Sequence, residues 1–238
     1  MEPFLKNTEK MKQCKTEKEL VNYFLKTFLD KEENTRVFTE VPTSWGIVDI
    51  LSIRIKKSVF RKRQEEINKR NCKPITTIAS YAIPYLKRYG NLTPQELADI
   101  LKIRNGVLLE TIQLLLDRGI VQQYKNGKLH LNPIKNILAI SHVTAFEAKL
   151  SNWRKAIEQA ERHLWFANCS YIVIPEPSSK VQTLITRECM ERNIGLTIQT
   201  KDGHFSTARY PSMYGYIDSY LLWKINENLI DGRISLGH

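Results

Sequence analysis

The sequence predicts an α/β protein: a mixed, partly parallel sheet flanked by helices and interrupted by a helical insertion. Three observations predict it. Apolar, β-branched runs such as Ile47-Val48-Asp49-Ile50-Leu51-Ser52-Ile53 and Tyr171-Ile172-Val173-Ile174-Pro175 read as strands buried on both faces. In the C-terminal half such runs alternate with capped, amphipathic stretches, the rhythm of a sheet with parallel strands. Between the two halves, residues 74–135 change to closely spaced helical stretches ended by a hairpin signal. The chain therefore divides into a discontinuous α/β core, 1–73 and 136–238, and an inserted unit, 74–135. With 238 residues, 42% hydrophobic and 26% charged, it can bury a sizeable core. That composition excludes disordered, collagen-like and coiled-coil chains.

Each element has a local cause. Thr16 and Glu19 form a T-x-x-E capping box ahead of Leu20, Phe24, Thr27 and Phe28, which share one helical face as far as about Asp30. Val37 to Glu40 is a short strand, Ser44-Trp45-Gly46 a turn, and Ile47 to Ile53 the first buried strand. Residues 54–73 begin by prolonging that strand; the remainder reads as a strand end, a linker or an exposed helix. Ile75 to Tyr89 suits a helix kinked or broken at Pro84, with Gly90 past its end. Thr93 is an N-cap, Pro94 occupies N1, and Glu96 closes a second capping box. Lys102-Ile103-Arg104 turns into a helix through Val107, Leu108, Ile112, Leu115 and Leu116, stopped by Gly119. Ile120 to Leu131 alternates around Asn126-Gly127, the strongest short hairpin signal. Helix, helix, turn, helix and hairpin is the order of a winged helix-turn-helix.

From Ile137 a strand ends in Phe146-Glu147-Ala148-Lys149-Leu150, and a helix spans Asn152 to about Ala167. The strand Tyr171–Pro175, a helix Ser178–Arg192, a strand Ile194–Thr200 and a Lys201-Asp202-Gly203 turn follow. A last helix runs from about Tyr216 to Leu229. Trp153 and Trp165, at helical spacing, read as packing residues. Tyr210, Tyr214, Tyr216 and Tyr220 read as packing for the last helix, or else as a subunit contact.

Charge narrows the function. The net charge is +11, but residues 54–73 alone hold 9 Lys/Arg against 2 Asp/Glu, and residues 74–135 hold 8 against 4. The flanks nearly balance. Such concentrated positive charge suits a polyanion, most often nucleic acid, or marks a solvated face. Cys14, Cys72, Cys169 and Cys189 form no CxxC pair and read as free thiols of a reducing compartment. The five histidines have no metal-ligand spacing, so zinc is not expected. No apolar run approaches the roughly 18–20 residues of a membrane span, and the N-terminus has no signal-peptide core. An intracellular, cytoplasmic location without a membrane partner is expected.

Two anomalies carry chemistry. Asp49 interrupts an apolar strand, where a charge is costly unless paired or bound to a cation. Glu147 and Lys149, two apart on a strand, point to one side. Two carboxylates can hold a hard divalent cation through oxygen, and an adjacent ammonium can orient water or stabilise charge on phosphate.

These residues resemble the PD-(D/E)XK nuclease superfamily, with its restriction-endonuclease-like fold. The superfamily core runs helix, strand, Asp-bearing strand, strand with E-x-K, helix and strand, and residues 16–55 and 137–200 follow that order. Asp49 and Glu147 are 98 residues apart, and the segment between them then contains the winged-helix insertion. The resemblance implies a metal-dependent DNA endonuclease. Asp49 and Glu147 would hold Mg2+, with Mn2+ as a substitute. Glu19 of the first helix and the Ala148 carbonyl would assist, with Glu17 competing for the place of Glu19. Lys149 would position or activate water, and Gln159 on the following helix would support the site. Double-stranded DNA would be gripped by Lys56, Lys57, Arg61, Lys62 and Arg63 of the basic run, by Arg104, Asn105 and Gln113 of the second motif helix, and by Lys125 and Lys128 of the wing. Glu110, Thr111 and Asp117 would share the exposed face of that helix. A homodimer would place one active site on each strand. The competing reading is a non-cleaving DNA-binding or regulatory protein on the same scaffold; a third is a winged helix that binds protein.

Overall fold

A computed structural model of the chain describes residues 14–29, 33–43, 46–215 and 217–233. The N-terminal stretch before Cys14, Asp30, Ser44 and Trp45 of the expected turn, Tyr216 and His238 lie outside the described residues.

The first helix, α1 (Glu17–Thr27), starts where its cap dictates: Thr16 Oγ1 accepts from the Glu19 amide at 3.1 Å. The reciprocal half of the box is displaced by one residue, because the Glu19 carboxylate accepts from the Lys15 amide at 2.8 Å. Strands β1 (Thr35–Thr43) and β2 (Gly46–Ile55) pair antiparallel, and both are longer than their apolar runs. The basic segment then becomes α2 (Lys57–Arg70), the helical alternative among those the sequence leaves open.

Helix α3 (Thr77–Tyr89) continues through Pro84. A proline inside a helix costs about 3 kcal/mol locally. Here the wholly buried Ala79, Ala82, Ile83 and Leu86 hold the helix against the core and outweigh that cost. In α4 (Pro94–Leu101) the capping box closes on both sides: Thr93 N donates to Glu96 Oε2 at 2.7 Å, and Glu96 N to Thr93 Oγ1 at 3.3 Å. Helix α5 (Asn105–Asp117) is followed by Gly119 at φ +63, a left-handed backbone that suits glycine. Strands β3 (Val121–Gln123) and β4 (Leu129–Leu131) form a separate two-stranded hairpin.

A short α6 (Ile134–Ile137) leads into β5 (Ile140–Ala148), then α7 (Trp153–His163), β6 (Cys169–Pro175), α8 (Ser179–Glu191) and β7 (Gly195–Gln199). The Lys201-Asp202-Gly203 turn leads into a strand the sequence does not announce, β8 (Phe205–Arg209). Phe-Ser-Thr-Ala-Arg is short and largely polar, and as an edge strand it alternates between half-buried and exposed residues. The last helix, α9 (Tyr220–Ile230), begins later than expected, at its cap Ser219.

The six-stranded sheet has the order β1-β2-β5-β6-β7-β8. It is mixed: β1, β2 and β5 run antiparallel, β5, β6 and β7 parallel, and β8 antiparallel again. The largest core cluster joins Leu51 and Ile53 of β2 and Ala145 of β5 to Ile83 of α3, Leu115 of α5 and Trp223 of α9. The helical segment therefore shares its core with the sheet. Among the described residues no helix is long and apolar enough to cross a membrane, and all four cysteines are free thiols.

Candidate active site

Strands β2 and β5, far apart in sequence, are antiparallel neighbours. Their register pairs Leu51 with Ala145 and Ile50 with Phe146. One step further sets Asp49 opposite Glu147, and residues directly opposite in such a pair share a side. The sheet so closes the long gap in sequence. Asp49 Oδ2 accepts from the Ala148 amide at 2.8 Å, which fixes the carboxylate at the strand end. Lys149 Nζ lies 2.9 Å from Glu147 Oε1 and 3.6 Å from Asp49 Oδ2, and donates to the Ala148 carbonyl at 3.1 Å.

The third carboxylate at this ammonium is Glu17 Oε2, at 3.4 Å. Glu19, the residue expected there, is instead an exposed side chain held by the Lys15 amide. The capping role that its T-x-x-E position announces takes it out of the site, and Glu17 of the same first turn, itself exposed, is the one that reaches Lys149.

Burial and charge act together here. Glu147 is fully buried, and neither of its oxygens receives a hydrogen bond; Lys149 is near but out of line. Burial, reinforced by the Asp49 charge and only partly offset by Lys149, pushes the Glu147 carboxyl up to about 7. Burial alone would lower the Lys149 ammonium, but Glu147, Asp49 and Glu17 outweigh it and hold it above its ordinary value. His163, at the end of α7, brings Nε2 within 4.0 Å of Glu147 Oε2. Burial, with help from Arg162 and Lys149, lowers His163 to about 4, so the imidazole is neutral near pH 7 and forms no ion pair.

The donor set fits a hard divalent cation. Two adjacent carboxylates and a backbone carbonyl are oxygen donors, and the orphaned oxygens of Glu147 are acceptors that a cation would satisfy. Among the described residues no group of three or more His, Cys, Asp or Glu side chains is arranged to hold a metal. The protein would then supply one or two carboxylates and leave the remaining positions to water and phosphate, as Mg2+ sites commonly do.

Gln159 lies one turn before His163 on α7, half-buried, with Oε1 lacking a hydrogen-bond partner. It makes no hydrogen bond to Asp49, Glu147 or Lys149. Of the residues expected to hold nucleic acid, Arg63 is a correction. It is buried, donates to both oxygens of Glu227 at 2.9 Å and reaches the Arg118 carbonyl. Arg118 Nε donates to the same carboxylate at 2.7 Å, and Arg118 Nη2 to Asp231 at 2.9 Å. This network ties α2 and the end of α5 to α9. Charge counting could not separate a cation on the inner face of α2 from its exposed neighbours.

Lys57 pairs with Glu33, and Lys56 Nζ donates to the Leu138 carbonyl at 3.3 Å. Gln113 is exposed but donates to Asp117 Oδ1 at 2.7 Å, and Thr111 is buried, not on the outer face of α5. Arg61, Lys62, Arg104, Asn105 and Lys125 are exposed, and Lys128 is half-buried. Trp153 packs as expected, half-buried, with the Arg154 guanidinium 4.2 Å from its ring centre. Trp165 does not: it is 66% exposed. Tyr210 and Tyr214 are also exposed, whereas Tyr220 stacks on Tyr81. No family model, no curated protein and no solved structure matches this chain.

Proposed function

We propose that the protein is a metal-dependent DNA endonuclease with a restriction-endonuclease-like core, into which a winged helix-turn-helix is inserted. The observation that carries this reading is the convergence of Asp49, Glu147 and Lys149 at the facing ends of two neighbouring strands. The order of elements supports it: a helix, two strands, the strand ending in Glu147-Ala148-Lys149, a helix and a parallel strand.

Asp49 and Glu147, with the Ala148 carbonyl, would hold Mg2+, which when bound lowers the pKa of water and neutralises charge on phosphate. Lys149, fixed as an ammonium by three carboxylates, orients the attacking water and stabilises charge on the phosphate oxygens. Glu17 holds Lys149 from the side of α1. Neutral His163 fills the space behind Glu147 without competing for its charge. The exposed cations of α2, of the start of α5 and of the hairpin would meet the DNA backbone. Cutting both strands would use two copies of the chain.

Asp49→Ala should abolish cleavage of plasmid DNA with Mg2+ or Mn2+ and leave duplex binding intact. A variant that cuts as well as the parent overturns the site. A parent protein that shifts duplex DNA but fails to nick it with either Mg2+ or Mn2+ makes the chain a non-cleaving binder.

A further inference from the structure

A cleft lies where α3, α9 and the turn after α7 meet. Tyr81 and Tyr85, four residues apart and on one face of α3, line a cavity of about 670 Å3 with Tyr220 and Trp165. This size falls in the roughly 300–1,000 Å3 range of small-ligand sites. Tyr81 and Tyr220 stack on each other with ring centres 3.9 Å apart and planes 18° from parallel, which sets a paired aromatic group in the wall. Trp165 is 66% exposed and Tyr81 39%. Large aromatic side chains left open to water in one group are unlike ordinary core packing, and such patches mark binding sites.

The polar residues of the cavity narrow the ligand. Lys87 and Arg88 both line it. Asp218, the carboxylate in the lining, is paired with Lys87 at 3.1 Å, so Arg88 leaves the cleft with a net positive charge. Flat aromatic faces beside cations are the combination that holds an unpaired nucleobase and its phosphate: the base stacks, and the charge takes the backbone. A duplex, whose bases are already stacked on each other, presents no such face.

We infer that this aromatic cleft binds unpaired nucleotides, so that the DNA recognised by the protein includes a single-stranded or flipped-out segment. The inference rests on the nucleic-acid part of the proposed function and not on the cleavage step.

The test uses the full chain with EDTA, so that cutting plays no part. Fluorescence anisotropy would compare three probes of equal length: oligo(dT), the same sugar-phosphate strand without bases, and a duplex. The parent should prefer oligo(dT) to the abasic strand. Trp165→Ala and Tyr85→Ala should each weaken oligo(dT) binding about 5- to 150-fold, the range of one lost stacking contact. Duplex and abasic binding should change less than about twofold, and Trp165→Phe should retain most of the preference. Equal losses on all three probes, or no loss on any, would overturn the inference. So would a parent that self-associates and loses that association in Trp165→Ala, since the cleft would then be an interface between copies. If the duplex binds and oligo(dT) does not, stacking alone is refuted; if neither binds, the nucleic-acid reading falls with it.

Discussion

Glu227→Gln perturbs the contact that ties α2 and the end of α5 to α9. Glu227 is fully buried and accepts from Arg63 at 2.9 Å on both oxygens, from Arg118 at 2.7 Å and from Asn226 at 2.9 Å. The amide keeps the volume but removes the negative charge and replaces one acceptor oxygen with a donor. Arg118 retains Asp231, whereas Arg63, 2% exposed, retains the Arg118 carbonyl as its partner. Breaking a buried ion pair on one side costs about 3–5 kcal/mol, because an uncompensated charge stays behind. For a chain of this size each kcal/mol moves the thermal midpoint by about 2–4 °C, so Tm should fall by about 6–20 °C. The assay is thermal and urea unfolding at pH 7, with the urea slope unchanged and its midpoint lowered. Arg63→Met should be destabilising alone, yet add much less in the Glu227→Gln background, since the two share one contact. A loss below about 1 kcal/mol, or strict additivity of the two changes, would refute the buried-network reasoning.

Two further outcomes follow from the carboxylate site. The raised Glu147 carboxyl means that the folded protein binds its proton more tightly than the unfolded chain does. Stability of the metal-free protein should therefore fall as pH rises from the ordinary carboxylate range through about 7, and Glu147→Gln should remove that fall. The gain at pH 8 has an upper bound of about 3 kcal/mol, read by urea unfolding in EDTA at pH 5 and pH 8, and an unchanged pH profile would contradict it. Glu17→Gln should reduce cleavage by a factor of roughly ten, as expected for an ion pair that positions Lys149. Glu19→Gln should leave cleavage unchanged, and the reverse ranking in a plasmid-nicking assay would restore Glu19 to the site.

Much of the fold is legible because its signals are local. Thr93, Pro94 and Glu96 specify the start of α4 through hydrogen bonds within four residues. Asn126-Gly127 likewise specifies the hairpin. Asp49 stands out in sequence because it interrupts an apolar run, and Glu147 with Lys149 because the two alternate with apolar residues on one strand. What sequence could not supply is the side on which a residue ends up when two roles compete. Glu17 and Glu19 both belong to the first turn of α1, and only the docking of that helix on the sheet decides which one reaches Lys149. Pro84 reads as a breaker because the burial that overrides it comes from residues of α9 and the sheet. Trp165 reads as packing because its spacing from Trp153 is helical, yet α7 ends at His163, before that face can continue.

The same limit applies to charge, where it has a measurable consequence. Eight cations expected to meet phosphate are Lys56, Lys57, Arg61, Lys62, Arg63, Arg104, Lys125 and Lys128. Were all eight used, the logarithm of duplex affinity would fall against the logarithm of salt with a slope of about −7, at roughly 0.9 per phosphate neutralised. Arg63 is sealed under Glu227, Lys57 is paired with Glu33, Lys56 donates to a backbone carbonyl, and Lys128 is half-buried. Arg61, Lys62, Arg104 and Lys125 stay exposed, with Lys62 only loosely paired to Glu66 at 4.0 Å. Four contacts give a slope of about −3.6. Duplex affinity measured from 50 to 200 mM salt in EDTA distinguishes the two values. Arg61→Ala and Lys125→Ala should each flatten the slope by about one, whereas Arg63→Met, in protein that remains folded, should not. A parent slope steeper than about −6 would mean that the paired lysines Lys56 and Lys57 leave their partners on binding and add to the contacts of Arg61 and Lys62.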